Sequence, residues 1–207
     1  MKKEKIIFIG AGGHSKSVLE SIGDNQELVG YIDDKKTGYF CGKRIFGKKI
    51  TDIEGFDEYS YFVTIGDNKA RKSWFQAVKS MKLSLTNIID KTAIISKNVV
   101  IGCGNYIGKG VIINSGVHIG DDNILNTRSI IEHECQIGSH THISTNSVVN
   151  GNVVVEDDVF LGSSSVVIGQ LVIKKHSIVG AGAVVISDVD GDSVYVGVPA
   201  KKIKSTN

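Results

Sequence analysis

Residues 93–110 read AIISKN VVIGCG NYIGKG, and the same six-residue register continues without insertion or deletion to residue 188. The third position is aliphatic in all sixteen of these hexads. Since only about a quarter of the residues in an average protein are Ile, Leu or Val, chance does not produce such a run. One position of each hexad is therefore expected to face a buried core.

The period of six distinguishes between the regular structures. A helix would repeat its apolar face every 3.6 residues and an ordinary strand every 2, whereas short β-branched runs separated by Gly, Asn, Asp and Ser indicate strands joined by corners. Three hexads then form one triangular coil of about 18 residues, so this segment supplies roughly five coils of a parallel β-solenoid. Residues 18 apart are expected to lie above one another.

The N-terminal segment has a different organisation. Its pattern of strands and helices within about 85 residues predicts a small α/β domain with a mostly parallel sheet, too short for a full two-halved dinucleotide fold. Ser15 is the predicted N-cap of the first helix. The predicted elements are a strand at 5–9, a glycine turn at 10–13, a helix at 15–22, strands at 28–32 and 61–65, and a helix at 69–81.

Composition excludes several classes of protein. The chain has 207 residues, of which 41% are hydrophobic and 22% charged, and no apolar run approaches the roughly 20 residues that span a bilayer. A net charge of +2, spread along the chain, argues against a nucleic-acid-binding protein. Its three cysteines are widely separated, so disulfides are not expected. The cytoplasm is the expected compartment, and small molecules are the expected partners.

One pair of stacked positions suggests acyl transfer. His133 lies at a predicted corner, and Gly151 lies one coil further on, which leaves a space without a side chain beside an imidazole. A neutral imidazole can take a proton from an attacking amine or hydroxyl, and a backbone N–H can stabilise the oxyanion that forms. Glu132 and Glu134 flank the histidine, and either carboxylate could hold the ring in one tautomer.

A second column contains only small residues: Thr127, Thr145, Ser163 and Ala181. Such a column predicts a groove along the solenoid in which an extended chain such as pantetheine could lie. A plainer explanation stays open, because turns generally favour small residues. His14 and the pair Asp33–Asp34 also have plain explanations, as a packed helix start and a solvated turn.

Four motifs together resemble a known family. They are the hexads, EHEC at 132–135 followed by His142, YVGVPAKKI at 195–203, and GAGGHSKSV at 10–18. The first three resemble hexapeptide acyltransferases. The last narrows the resemblance to bacterial sugar O/N-acetyltransferases of the sialic acid O-acetyltransferase and UDP-N-acetylbacillosamine or GDP-perosamine N-acetyltransferase type.

The resemblance implies a fold and an activity. It implies a Rossmann-like nucleotide-sugar-binding domain at 1–85, a left-handed parallel β-helix at 86–207, and a homotrimer with each active site between subunits. The implied reaction is acetyl transfer from acetyl-CoA to the amino group of a nucleotide-linked 4-amino-deoxy sugar, in bacterial surface glycan biosynthesis. No metal is implied. The turn reads GAGGHS rather than GxGxxG, so a nicotinamide cofactor is poorly supported.

The family's functional residues transfer to matching positions of this chain. His133 is the implied general base, and Glu134 orients or polarises it. The implied acetyl-CoA contacts are His142, Gly151, Ser163, Ala181 and Gly182. The implied nucleotide-sugar contacts are Gly12, Gly13, His14, Asp33, Asp34, Gly66 and Asn68.

Three alternatives remain open. The first is O-acetylation of sialic acid or a related sugar. The second is a non-catalytic partner that only stabilises a biosynthetic complex. The third is a zinc enzyme that uses His133, Cys135, His140 and His142, although residues two apart point in different directions around a corner.

Overall fold

The structure is a computed structural model, and it describes residues 2–206. Its N-terminal part is a six-stranded sheet with the order β3-β4-β2-β1-β5-β6, parallel except for the β3–β4 pair. The elements are β1 (Glu4–Ile9), α1 (Gly13–Leu19), β2 (Gln26–Ile32), β3 (Tyr39–Phe40), β4 (Lys43–Gly47), β5 (Ser60–Val63), α2 (Asn68–Ser80) and β6 (Ser84–Leu85), with 3-10 helices at Ile50–Asp52 and Phe56–Glu58.

The predicted parallel α/β lobe is confirmed, but its strands β3, β4 and β6 were not predicted and the cap of its first helix was placed wrongly. Ser15 does not cap the first helix, because α1 already begins at Gly13 with Gly12 as its N-cap. Gly12 has an extended backbone and makes no side-chain capping bond, so the glycine turn leads directly into the helix. Ser15 instead lies inside the helix, on its buried side.

The hexads form a parallel β-helix with three faces, and each strand pairs with the strand eighteen residues further on. Its winding is left-handed. Face 1 contains β7 (Ile88–Ile89), β10 (Tyr106–Ile107), β13 (Ile124–Leu125), β16 (His142–Ile143), β19 (Phe160–Leu161) and β22 (Ile178–Val179). Face 2 contains β8 (Ile94–Ile95), β11 (Ile112–Ile113), β14 (Ile130–Ile131), β17 (Val148–Val149), β20 (Val166–Val167) and β23 (Val184–Val185). Face 3 contains β9 (Val100–Ile101), β12 (His118–Ile119), β15 (Gln136–Ile137), β18 (Val154–Val155) and β21 (Val172–Ile173).

Two further strands extend face 1 at its C-terminal end. Strand β24 (Ser193–Val196) pairs in parallel with β22, and β25 (Lys201–Ser205) pairs antiparallel with β24. None of the helices in residues 2–206 is long and apolar enough to cross a membrane.

The corners of the coil repeat as regularly as its strands. One residue in every six has a positive φ, and only four of these fourteen residues are glycine, so the coil itself imposes the left-handed conformation. The positive φ of Glu134, 59°, is therefore a property of the repeat rather than special strain at this position. The fourteen residues are Gly104, Gly110, Gly116, Asp122, Arg128, Glu134, His140, Asn146, Asn152, Asp158, Ser164, Gln170, His176 and Gly182.

A ladder of buried polar side chains joins successive coils between faces 3 and 1. The side-chain oxygens of Asn87, Asn105 and Asn123 accept the backbone N–H groups of Asn105, Asn123 and Thr141, each at 2.8 Å. Their amide groups donate to glycine carbonyls at the same corner of the next rung. These three asparagines thus satisfy polar groups that would otherwise be costly to bury.

The N-terminal lobe packs against the first three strands of face 1, which we call the lower rungs of the coil. The outward-facing side chains of Ile88, Tyr106 and Ile124 are at most 1% exposed, because they share a core with Phe8 and Val18 of the lobe. Because the lobe covers face 1, the corner between faces 2 and 3 lies on the opposite side of the coil.

Candidate active site

The predicted stack of His133 and Gly151 is present at the corner between faces 2 and 3. The ring of His133 is exposed and lies over Gly151, so closely that a Cβ atom at position 151 would be 2.6 Å from Nε2. Any larger residue at this position would have to displace the imidazole. The glycine is thus needed for the present position of the ring.

The backbone N–H of Gly151 makes no hydrogen bond within residues 2–206. The corresponding N–H groups one rung below and above, at His133 and Gly169, are free as well, so the free donor is a feature of this corner. What distinguishes Gly151 is that the imidazole of His133 lies directly against it. An acceptor approaching the exposed imidazole can therefore reach an N–H group beside it.

The two flanking carboxylates do not contact the imidazole in this structure. Glu134 extends over Gly116, one rung below, where a Cβ atom would lie 2.5 Å from Oε1 of the glutamate. Within the described chain, no hydrogen bond joins His133 to Glu132 or Glu134. That Glu134 orients the ring stays a prediction.

The five predicted acetyl-CoA residues lie in three places. Gly151 shares the corner of His133, whereas Ser163, Ala181 and Gly182 lie at the corner between faces 1 and 2. His142 is the outward residue of β16 on face 1, paired with Phe160 on the next rung. Within one chain, the width of face 2 separates the first group from the second.

The predicted substrate residues come together at the carboxyl edge of the N-terminal sheet. They follow β1, β2 and β5, and a hydrogen bond of 2.7 Å from the Ala11 N–H to Asp33 Oδ2 joins two of the loops. A Cβ atom at Gly12, Gly13 or Gly66 would meet no atom within 4 Å. A ligand can therefore approach the backbone closely at this edge, where parallel sheets commonly bind their ligands.

Two of these residues already have partners. Asp33 accepts hydrogen bonds from the backbone N–H groups of Ala11, Lys35 and Lys36. Partial burial raises the pKa of the Asp33 carboxyl, but these bonds outweigh burial and the pKa is lowered. Asn68 donates to the Val159 carbonyl at 3.1 Å. Asp33 thus shapes the loop, and Asn68 joins the lobe to the coil, whereas Asp34 is exposed and free of such contacts.

Two histidines lie where the lobe meets face 1. His14 packs edge-on against Tyr106, with ring centroids 5.3 Å apart, and His142 packs similarly against Phe160 at 5.2 Å. Burial, followed by the positive charge of Arg71, lowers the pKa of each histidine to about 4. Both are therefore neutral at pH 7. His14 Nε2 and His142 Nδ1 are buried without a hydrogen-bond partner, so each keeps a free polar atom.

The sequence did not identify Arg71 and Asn126 as part of this region. Asn126 Nδ2 lies 3.4 Å from His142 Nε2. Arg71 is 1% exposed and lies on the buried side of α2 with Phe75 and Val78. The sequence does contain a sign that Arg71 is buried, because the spacing 71, 75, 78 puts this charged residue on the apolar stripe of the helix.

A cleft of about 810 Å³ lies between the loop after β5 and the upper rungs of face 1. It is open on one side and mixes aromatic, basic and acidic side chains. Its lining residues are Gly66, Asp67, Asn68, Lys69, Lys72, Asp158, Phe160, His176, Ile178, Asp192 and Thr206. The cleft continues from the carboxyl edge of the sheet onto the face that carries His142.

The four residues of the zinc alternative do not converge. His133 is at one corner, His140 is at another and contacts Asp122, and Cys135 is buried inside the coil. In residues 2–206, no group of three or more His, Cys, Asp or Glu side chains is arranged to hold a metal ion.

Comparisons with known proteins place the chain among sugar acetyltransferases. A family model described as the PglD N-terminal domain matches residues 5–78. UDP-N-acetylbacillosamine N-acetyltransferase of Bacillus subtilis is 31% identical over 107 residues, which cover 49% of this chain and 50% of that protein. A protein of Acanthamoeba polyphaga mimivirus is 42% identical over 101 residues, 48% of this chain and 20% of the viral protein. The chain thus spans half or less of the length of these curated relatives.

Solved structures match over nearly the whole chain. PerB from Caulobacter crescentus, in complex with CoA and GDP-perosamine, is 32% identical with a TM-score of 0.90, and the match covers 97% of both chains. The acetyltransferase domain of PglB from Neisseria gonorrhoeae, in complex with acetyl coenzyme A, is 25% identical with a TM-score of 0.89, over 97% of this chain and 100% of that one. The resemblance inferred from the motifs is confirmed: the chain belongs to the hexapeptide-repeat sugar O/N-acetyltransferase family.

Proposed function

We propose that this protein transfers the acetyl group of acetyl-CoA to the amino group of a nucleotide-linked 4-amino-deoxy sugar, in the biosynthesis of a bacterial surface glycan. The observation that carries the proposal is the exposed imidazole of His133 stacked on a bare backbone N–H at Gly151. The match to PerB with CoA and GDP-perosamine supports the same two substrates.

Each group at the corner has a role in this reaction. His133 takes a proton as the amine attacks the thioester carbonyl carbon, and the Gly151 N–H stabilises the tetrahedral oxyanion. Collapse of this intermediate breaks the C–S bond and releases CoA, whose thiolate accepts the proton held by His133, so that the imidazole is neutral again. Glu134 orients the imidazole once substrate is bound, and the open glycine backbone at Gly12, Gly13 and Gly66 admits the nucleotide.

The parts of the proposed site are complete only between two copies of the chain. The corner with His133 and Gly151 is opposite the face that carries the N-terminal lobe, and the packed core of the coil lies between them. Neither His14 nor His142 can reach His133 across that core. A second chain must therefore bring its own corner to the lobe, and we propose a homotrimer.

Face 2 provides a surface for this assembly. The outward residues of its six strands are all aliphatic, and the lowest of them, Ile94, is 64% exposed. The corresponding residues of face 3 include His118 and Gln136. The other five outward residues of face 2 are half-buried, so the face presents a continuous, partly exposed apolar stripe, as is typical of an interface. The six residues are Ile94, Ile112, Ile130, Val148, Val166 and Val184.

Threefold packing through face 2 also joins the separated acetyl-CoA residues. If face 2 of each copy faces the axis, the corner with His133 meets the next copy's corner between faces 1 and 2. That second corner carries Ser163, Ala181 and Gly182, and it adjoins the face with His142. The groove for acetyl-CoA would then run between two subunits.

Replacing Val148 by glutamate should dissociate the trimer, because three carboxylates would be buried near the axis. We expect a monomer in analytical ultracentrifugation and a loss of acetyl transfer of about a hundredfold or more, since each site loses one of its two walls. Gln136→Glu on face 3 is the matched control and should stay trimeric and active. A wild-type monomer, or full activity of monomeric Val148→Glu, would contradict this arrangement.

The activity itself is tested with acetyl-CoA and a panel of UDP-, dTDP- and GDP-linked 4-amino sugars, by following thiol release. We expect turnover with at least one amino sugar and none with its 4-hydroxy counterpart. Turnover with the hydroxy sugar or with sialic acid instead would favour the O-acetyltransferase alternative. A protein that binds no acetyl-CoA in calorimetry would favour the non-catalytic alternative.

Two further assignments belong to this proposal. We place the boundary between the nucleotide-sugar-binding domain (1–85) and the β-helix domain (86–207) between β6 and β7. We also expect the protein to work in the cytoplasm, which agrees with its three unpaired cysteines, Cys41, Cys103 and Cys135.

A further inference from the structure

Arg71 is a buried arginine at the junction of the two lobes. All three of its guanidinium nitrogens donate, and the acceptors lie on both lobes. Nε donates to the Asp122 carbonyl at 3.0 Å and lies 3.4 Å from the Asp122 carboxylate. The other two nitrogens donate to the carbonyls of Ile65 (3.5 Å), Gly66 (3.4 Å) and Thr141 (3.4 Å) and to Asn68 Oδ1 (2.9 Å).

These acceptors belong to the two sides of the proposed site. Gly66 is in the loop that follows β5, at the carboxyl edge of the sheet, and Asn68 is the first residue of α2. Thr141 immediately precedes His142, and the Asn68 amide also donates to the coil, at the Val159 carbonyl. One guanidinium thus fixes the separation between the loop and the strand that carries His142.

We propose that Arg71 is a positioning residue for the acetyl transfer described above: it locks the loop after β5 onto the coil, and thereby sets where the nucleotide-linked sugar lies relative to His142. The inference rests on the proposed function only where its test measures acetyl transfer. A planar group with five donors can satisfy several carbonyls at once, whereas a lysine ammonium is a point charge with three donors.

The charge of Arg71 has a separate effect from its geometry. Asp122 on the coil, Asp158 two rungs further on and Asp67 at the start of α2 face the guanidinium, and His140 is held on Asp122 at 2.8 Å. On the other side lie His14 and His142, and the arginine charge contributes to lowering the pKa of both. Removing the charge should therefore make these two histidines easier to protonate.

Two variants separate these effects. Arg71→Lys keeps the charge and loses the fork of donors, so we expect a roughly tenfold or greater rise in KM for the nucleotide sugar and a smaller change in KM for acetyl-CoA. Arg71→Met combined with Asp122→Asn removes both charges without leaving a buried carboxylate unpaired. In this double variant, we expect the pKa values of His14 and His142 to rise, because the positive charge that lowers them is gone.

Lys79→Met is the matched control. It removes another bond from α2 to the coil, the exposed pair of Lys79 with Asp121 at 3.1 Å, and should leave both KM values and the pH profile unchanged. Thermal unfolding of every variant shows whether a kinetic change merely follows a loss of stability.

The inference is overturned if Arg71→Lys has wild-type kinetic constants. It is overturned as well if kcat and both KM values change only in proportion to lost stability. NMR titration of His14 and His142 in the wild type and in the double variant needs no turnover. If no acetyl acceptor is found, the ring signals of His14 and His142 in Arg71→Lys decide: shifted signals support the lock between loop and strand, and wild-type signals refute it, whereas the pKa in the double variant tests only the charge.

Discussion

His133→Ala is expected to lower kcat for acetyl transfer by about 10²- to 10⁴-fold, the usual contribution of a general base. The imidazole is exposed at its corner and supports no other part of the chain, so the fold should be unaffected. The measurement is steady-state thiol release at saturating acetyl-CoA and nucleotide sugar, together with calorimetric binding of acetyl-CoA. Binding should remain, because the proposed groove is formed mainly by other residues.

His118→Ala provides the control for this substitution. His118 is also an exposed histidine of the β-helix, on face 3, and its ring contacts only the Gly116 carbonyl at 3.2 Å. We expect it to keep wild-type kinetic constants. Near-normal turnover of His133→Ala would remove the base from the proposed mechanism, whatever the control shows.

The β-helix was predictable from sequence because one physical constraint repeats. Every hexad must place an aliphatic residue in a narrow core, and residues such as Ile131 and Val149 are accordingly unexposed. The fixed period also gives the stacking of residues 18 apart, which is why the sequence alone places Gly151 over His133. Strand register in such a coil follows directly from counting.

The N-terminal lobe was less completely predictable. The buried strands β1, β2 and β5 were recognised to within two residues at each end, whereas β3, β4 and β6 were missed, because they are short and carry too little periodicity to be detected. The predicted cap at Ser15 failed for a local reason, since a glycine can serve as N-cap through its backbone alone.

Neither the hexad repeat nor the strand and helix pattern of the N-terminal segment predicts the contacts between the lobe and the coil. Arg71 joins positions far apart in the chain, and nothing in the hexad register says which face the lobe covers. The same limit applies to the site. Counting along the coil brings His133 to Gly151, but it does not reveal that the predicted substrate residues lie on the other side of the core from His133.

Gly151→Ala is the second large effect that we expect. The added methyl group would lie 2.6 Å from both Cε1 and Nε2 of His133, so the ring must move. The backbone of Gly151 does not have a positive φ, and the obstacle is the end of a mobile side chain, so stability should change little. A displacement of about 1 Å can cost roughly a hundredfold in rate, and we expect a fall in kcat of that order.

A double-mutant cycle separates this effect from a direct effect on acetyl-CoA. If the methyl group acts by displacing the imidazole, adding Gly151→Ala to His133→Ala should cost almost nothing further, because the ring is already gone. If it acts by narrowing the groove, the KM for acetyl-CoA should rise equally in both backgrounds. The first outcome supports a mechanism in which the glycine serves to place the histidine. The second would make Gly151 a contact for the thioester and leave the position of His133 to be set by its own corner.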